Sequence, residues 1–459
     1  MSMRNVASRT AQASFSPPSP GLQRRLTTGI ATKAQDAVKP SGNALSRISN
    51  KTLIRSLVLT SMMRRNWIMW PSLKFLNMVT RAKSVWFNPD RNPVLNRLLR
   101  WTIYNHFCAG THKEQVARSM AEVKGIGYQG IILGHAKEAI LDPNVGEVYS
   151  DGSGYAPACY KMVEEWKQST LDTLRMLQPG DFLAVKLTGA GPICLDAMQA
   201  RQPMPQVIVD AMGEICTETK QRGSRLWIDA EQQILQIGLD DWVIELMRKY
   251  NRNGEALVYN TIQAYLKGAR DNAARHITFA AREGWTIGIK LVRGAYIEHD
   301  VRSLIHDTKE DTDRSYDDIV EMMISRKLPQ TENYEKLVFP SAALFLATHN
   351  QASAEKAVEM HSQRISHGLL PLTTLECGQI NGMADELSCE LLASRKQCVT
   401  DRSTGDSMAP GVFKYIAWGS VSECMGYLHR RAIENRGAVE RTQHMVDALK
   451  KELRRRIMG

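Results

Sequence analysis

From about residue 115 onward the apolar positions fall into two alternating periods. Short runs rich in β-branched and aromatic residues recur at 130–134 (GIILG), 182–188 (FLAVKLT), 225–230 (RLWIDA) and 256–262 (ALVYNTI). Four more follow at 286–292 (TIGIKLV), 342–348 (AALFLAT), 374–380 (TLECGQI) and 411–417 (GVFKYIA). Between them lie longer stretches repeating every three to four residues, such as PQVIVDAMGEICTETKQRG and NTIQAYLKGARDNAARHITFAAREG. Runs this short and this apolar predict strands buried on both faces, and the longer stretches predict amphipathic helices. Eight such strands alternating with helices predict an α/β fold, a closed (β/α)8 barrel occupying residues 115–459. Gly125, Gly127 and Gly130 match the spacing of a dinucleotide fingerprint. They follow a helical stretch and precede a strand, the reverse of the required order, so they read as a helix C-cap and turn.

Charge separates the N-terminus from this body. The first 100 residues of the 459 hold 17 Lys and Arg against only Asp36 and Asp90, while the remaining residues carry a balance of −4. A nucleic-acid-binding core would carry its own basic face, so nucleic acid is excluded as the main partner. Residues 1–35 contain Arg4, Arg9, Arg24, Arg25 and Lys33, many Ser and Thr, and no acid, the composition of a mitochondrial transit peptide. Residues 36–114 then read as a basic helical arm. Within it, 51–85 combines Arg55, Arg64, Arg65, Lys74, Arg81 and Lys83 with Trp67 and Trp70. That stretch suits either a peripheral contact with an anionic membrane surface or packing on the barrel. No run is long and apolar enough for a spanning helix. Eight scattered cysteines without a CxxC pair point to a reducing compartment rather than to disulfides or zinc. The basic C-terminal LKKELRRRIMG reads as a solvated helix end, and the acidic stretch from Asp300 to Glu321 as a solvated helical insertion.

Chemistry in such a barrel gathers where the strands end. There the sequence places Lys186, then Asp229 and Glu231, then Gln263. The fifth strand carries Lys290 and Arg293, followed by Gly294, Ala295 and Tyr296; the sixth ends in Thr348, His349 and Asn350. Gln379 and Tyr415 complete the set. Interior strand positions should be apolar unless polar groups are paired or used, and Lys186 with Asp229 could be a buried ion pair. Beyond the last strand, Tyr427, Arg430, Arg431 and Glu434 stand at i, i+3, i+4 and i+7, one face of a helix. Guanidinium groups facing a barrel mouth can clamp a carboxylate. No HExxH, GxSxG or Walker sequence is present, and no metal site is expected.

Six motifs, LWIDAE (226–231), TIQAYLK (261–267), KLVRGAY (290–296), FLATHN (345–350), GQINGMAD (378–385) and YLHRRAIEN (427–435), resemble in order those of the proline dehydrogenase family. The likeness spans about residues 180–440, and with the leader it points to the eukaryotic, monofunctional, fungal-like form. It implies a distorted (β/α)8 barrel that holds FAD and oxidises L-proline to Δ1-pyrroline-5-carboxylate, with hydride passing from C5 to flavin N5. It further implies ubiquinone as acceptor, the first step of proline catabolism, and a mitochondrial site in the matrix or on the matrix face of the inner membrane. Carried over residue by residue, Arg430 and Arg431 would hold the proline carboxylate, with Lys186 adding charge and pairing with Asp229. Tyr415 and Tyr427 would wall the ring, and Leu291 and Ala295 would form its floor. Gln263, Lys290, Arg293, Gly294, Ala295, Tyr296, Thr348, His349, Asn350, Gln379 and Glu434 would contact the cofactor. Lys186, Asp229 and Lys290 would be the residues nearest the chemistry. Lys290 stands where bacterial relatives usually have Arg, and Ile297 where they often have Trp. The alternatives are a hydroxyproline dehydrogenase of the same superfamily, disfavoured by the bulk of Tyr415, a flavin-free barrel hydrolase or aldolase, and a non-enzymatic membrane-associated binding protein.

Overall fold

The computed structural model describes residues 44–63, 65–81, 84–136, 154–328, 337–401, 408–434 and 439–458, and all of these fall in one compact unit. The expected leader at 1–35 lies outside the described residues. Strands β1 (Gly130–His135), β2 (Phe182–Val185), β3 (Arg225–Ile228), β4 (Val258–Gln263), β5 (Ile287–Val292), β6 (Ala342–Ala347), β7 (Thr374–Ile380) and β8 (Gly411–Trp418) close into a parallel barrel in sequence order. Each grows from one of the eight apolar runs. β2 and β3 stop early, at Val185 and Ile228, so that Lys186 and Asp229 begin the polar rim.

The runs are apolar throughout because both faces are buried, but the faces have different partners. On β5, Ile287, Ile289 and Leu291 join the outer core against the helices. Lys290 and Val292, of the opposite parity, face the barrel axis. The axis is filled below the rim by Ile132, Phe182, Trp227, Tyr259, Phe345 and Phe413. At the N-terminal end of the strands, Arg225 lies 4.0 Å above the Phe182 ring and 2.7 Å from Glu376. Gly127 caps the Lys113–Ile126 helix at φ 116°, its N–H on the Lys124 carbonyl, as the glycine order demands.

Two expectations need correction. The acidic stretch is no insertion. Thr308 and Asp311 form a capping box that starts the Lys309–Ser325 helix, whose Tyr316, Ile319, Val320 and Met323 are buried against the barrel. Its charges occupy the solvent face of an ordinary barrel helix. The C-terminal basic end is not wholly solvated either: Arg456 pairs with buried Glu452 and donates to the Leu45 and Ile48 carbonyls.

The arm does pack on the barrel, with one face only. Leu53 of the Asn50–Met63 helix is buried with Leu45, Ile48, Cys389 and Leu449, and Ser56 donates to Asp385 at 3.3 Å. Leu76 and Val79 of the Asn66–Arg81 helix pack on Cys424, Met425 and Leu428 of the Val421–Glu434 helix. The opposite face stays bare. Of the 25 large exposed apolar side chains among the described residues, 14 lie between Ile54 and Trp101, including Trp67, Trp70, Trp86 and Trp101. No helix of the described residues is long and apolar enough to cross a membrane.

Candidate active site

The C-terminal ends of the strands surround a cavity of about 340 Å³. Lys186 from β2, Asp229 from β3 and Lys290 from β5 meet on one side of it. Arg293, Gly294, Ala295 and Tyr296 from the β5 loop, and Thr348 and His349 from β6, form the next arc. Tyr415 from β8 closes the ring, with Tyr427 and Arg431 reaching in from the Val421–Glu434 helix. Twelve residues scattered over 246 positions of sequence thus converge on one space.

Within the cavity Lys290 contacts Asp229 at 2.5 Å, and its ammonium sits 4.2 Å over the Trp227 ring. Lys186 donates to the Tyr296 hydroxyl at 3.2 Å. That hydroxyl donates in turn to Glu231, which also accepts from Thr188. Burial favours the neutral form of Lys290 and lowers its pKa, although Asp229 pulls the other way. Burial would raise Asp229, but Lys290, Lys186 and Arg431 outweigh it and hold the carboxyl below its ordinary value. The lining holds four cations, Lys186, Lys290, Arg293 and Arg431, against one carboxylate, Asp229. Such a space attracts an anion.

Arg293 is braced by its neighbours, donating to Asp313 at 2.8 Å, Thr348 at 2.8 Å and Ser353 at 3.0 Å. Asn350 caps the Gln351–Ser366 helix by accepting from the Ser353 N–H, so it positions the β6 loop and does not line the cavity. Gly294, at φ 157°, lies so close to the Tyr265 ring that a Cβ would stand 2.5 Å from it.

Other expected site residues turn elsewhere. Leu291 faces the helices, not the cavity floor, because it alternates with Lys290 and Val292 along β5. Gln379 likewise alternates with the lining residues Gly378 and Ile380, and its amide is spent on Ser388 and the Thr348 carbonyl. Gln263 bridges the Glu231 carbonyl to the Ala295 N–H beneath the rim. Arg430 does not join Arg431 in the lining, since successive helix positions are about 100° apart. Glu434 ends the same helix, and its side chain lies outside the described residues. Sequence reasoning missed Ile132, Trp227, Thr261, Phe345 and Ile380, all of which line the cavity. Step-of-two counting back from Asp229 or on from Gly378 would have found Trp227 and Ile380.

Comparison with known proteins identifies the family. Residues 116–444 match the family model described as proline dehydrogenase. The probable mitochondrial proline dehydrogenase of Schizosaccharomyces pombe is 27% identical over 457 residues, covering 88% of each chain. Mitochondrial proline dehydrogenase 1 of Homo sapiens is 31% identical over 252 residues, covering 54% of this chain and 39% of the human one. The hydroxyproline dehydrogenase of Bos taurus is 26% identical over 439 residues, covering 85% of this chain and 88% of that one. Among solved structures, proline utilization A from Bdellovibrio bacteriovorus, inactivated by N-propargylglycine, superposes with a TM-score of 0.59 at 15% identity. It is matched over 93% of this chain and 43% of its own, so the chain spans less than half of that protein. The chain belongs to the proline dehydrogenase family, oxidoreductases that act on proline.

Proposed function

We propose that the protein oxidises L-proline to Δ1-pyrroline-5-carboxylate with bound FAD, in the mitochondrion, and delivers the electrons to ubiquinone. The observation that carries the reading is the cavity's charge: three cations beside a single carboxylate, Lys186, Lys290 and Arg431 around Asp229, with tyrosine walls above. The substrate's carboxylate goes to Arg431 and Lys186. Arg431 offers a fixed fork of donors and Lys186 a point charge already oriented by Tyr296. Tyr415 and Tyr427, ring centroids 6.3 Å apart and nearly parallel, stand as one wall for the pyrrolidine ring. The surrounding cations disfavour a protonated amine, and only the neutral amine can support iminium character at C5.

The donor set fits a flavin. Trp227 Nε1 is a buried donor with no partner among the described residues. The bare backbone of Gly294 and the braced Arg293 flank the same space. Lys290, Thr348 and His349 would hold the cofactor with them, and FAD bound there would supply the hydride acceptor. The residues of the chain position the reactants and exclude water. The test is a visible spectrum of the purified protein before and after anaerobic L-proline. A flavin band that bleaches with L-proline and not with D-proline supports the reading. A flavin that persists would reopen the substrate, and no flavin after reconstitution would leave a flavin-free barrel.

The bovine relative keeps hydroxyproline as the competing substrate, and Tyr415 opposes it by filling space a ring hydroxyl would need. The bare face of the arm is the membrane contact in this reading, because tryptophans set among Arg65, Lys74, Arg91 and Arg97 suit an anionic leaflet. Sedimentation with cardiolipin-containing vesicles, lost with Trp67→Ser/Trp70→Ser and absent with neutral vesicles, checks it; equal binding to both would remove the electrostatic part.

A further inference from the structure

On β1 the inward positions nearest the mouth are Ile132, which lines the cavity, and Gly134 one step above it. The neighbouring β8 sets Tyr415 opposite Ile132 and Ala417 opposite Gly134. Tyr415 leans across toward the mouth. A Cβ built on Gly134 would collide with the Tyr415 hydroxyl, would stand 3.1 Å from its Cζ, and would touch the Ala184 Cβ at 3.4 Å. Gly134 is not among the glycines with positive φ, so its backbone would accept an alanine without strain. What the position needs from glycine is room.

We propose that Gly134 is a specificity-determining position whose missing side chain seats the Tyr415 hydroxyl, and so sets how much space the tyrosine wall leaves for the ring of a cyclic amino acid. The inference rests on the proline reading above and deepens it. A methyl at 134 would take the place of the hydroxyl. Ala184 closes one flank and the β1 backbone lies beneath, so the ring would have to turn toward the cavity and Tyr427. Interiors packed at crystal-like density do not absorb such a group freely. The narrowed space would then exclude larger rings more than proline. No motif in the sequence marks Gly134, because the constraint comes from a side chain 281 positions away.

The experiment is steady-state oxidation with a dye acceptor by four holoenzymes: wild type, Gly134→Ala, Tyr415→Phe and the double variant. Gly134→Ala should raise KM for L-proline about tenfold, the size expected of moderate overpacking, and raise it further for the six-membered homologue L-pipecolate. Removing the hydroxyl clears the collision and leaves only the 3.1 Å approach to the ring edge, which a shift of a few tenths of an ångström relieves. The double variant should therefore fall within about twofold of Tyr415→Phe alone. An unchanged KM in Gly134→Ala overturns the proposal, as does a raised KM that persists in the double variant. If Gly134→Ala alone fails to fold, a double variant that folds and turns over like Tyr415→Phe supports the proposal, and one that does not fold overturns it. Wild-type protein that leaves proline unoxidised would sink the substrate reading itself, and the inference with it.

Discussion

The two ends of the barrel each bury an ion pair, and strand β3 runs from one to the other. At its start Arg225 meets Glu376 at 2.7 Å, with the Tyr259 hydroxyl within 3.3 Å of both and the Phe182 and Phe413 rings against the guanidinium. Just past its end Asp229 meets Lys290 at 2.5 Å, but there Lys186 and Arg431 add two further cations and a cavity stands open beside them. The lower pair is charge-balanced and packed against aromatic rings, away from the cavity. The upper pair has two further cations beside it on the wall of an open cavity, a setting that draws in an anion. A buried ion pair is therefore not itself a sign of function; the imbalance around it, and the empty space next to it, are.

The largest expected effect comes from breaking the lower pair. Glu376→Ala leaves the partly buried Arg225 without its carboxylate and should cost about 3 kcal/mol of stability. Urea unfolding should show this, while the KM of the folded protein stays as in wild type. A KM that rose in step would mean the two ends are not independent. At the open end the pattern reverses. Arg431→Met should raise KM for proline about a hundredfold, the scale of one lost charged hydrogen-bond pair, with bound flavin and unfolding midpoint nearly unchanged. Flavin loss with an unaltered KM in the remaining holoenzyme would take Arg431 out of the carboxylate contact.

Tyr415→Ser should act more mildly. It should weaken proline turnover and raise the hydroxyproline-to-proline ratio of kcat/KM by about tenfold, because the pocket gains room without gaining charge. An equal ratio would end the ring-wall role. The smallest effect is a pH dependence. Burial lowers the Lys290 pKa, so the residue loses its charge at a lower pH than an ordinary lysine does. Asp229 is held below its ordinary value and stays ionised there. Rising pH therefore removes one positive charge and no negative one. The affinity for cyclopentanecarboxylate, which has no amine to titrate, should fall severalfold on the alkaline side, about what loss of one nearby charge removes. In Lys290→Met this limb should vanish; its persistence would assign the titration to another group.

Much of the barrel was legible along the chain, for a local reason. A strand covered on both faces has to be apolar at every position, so eight continuous apolar runs stood out among helical stretches, including β1 and β7. The helix carrying Tyr427 and Arg431 was equally legible from its spacing. Polar residues at strand ends were conspicuous because nothing else there was polar. Facing was harder. Leu291 and Gln379 were assigned inward, and both turn out toward the helices, because a run apolar on both faces hides its own parity. Arg430 and Arg431 look alike in sequence, and only the placement of their helix on the barrel decides between them. That Lys290 makes the close contact with Asp229, while Lys186 acts on the carboxylate beside it and donates to Tyr296, is not legible along the chain, since adjacency of strands says nothing of which side chain is rightly aimed.

The arm marks the same boundary. Its basic, tryptophan-rich composition left packing and membrane contact both open, and folding divides it by face: Leu53, Leu76 and Val79 inward, Trp67 and Trp70 outward. The sequence alone determined what local periodicity and composition can carry, namely the eight strands, the helices between them, the clustering of polar groups at one end and the family motifs. Tertiary structure decided which cation pairs with Asp229, which arginine reaches the cavity, and why a plain glycine at 134 has to stay small. Those outcomes depend on distances between residues far apart in the chain, and closing the barrel is what brings such residues within reach of one another.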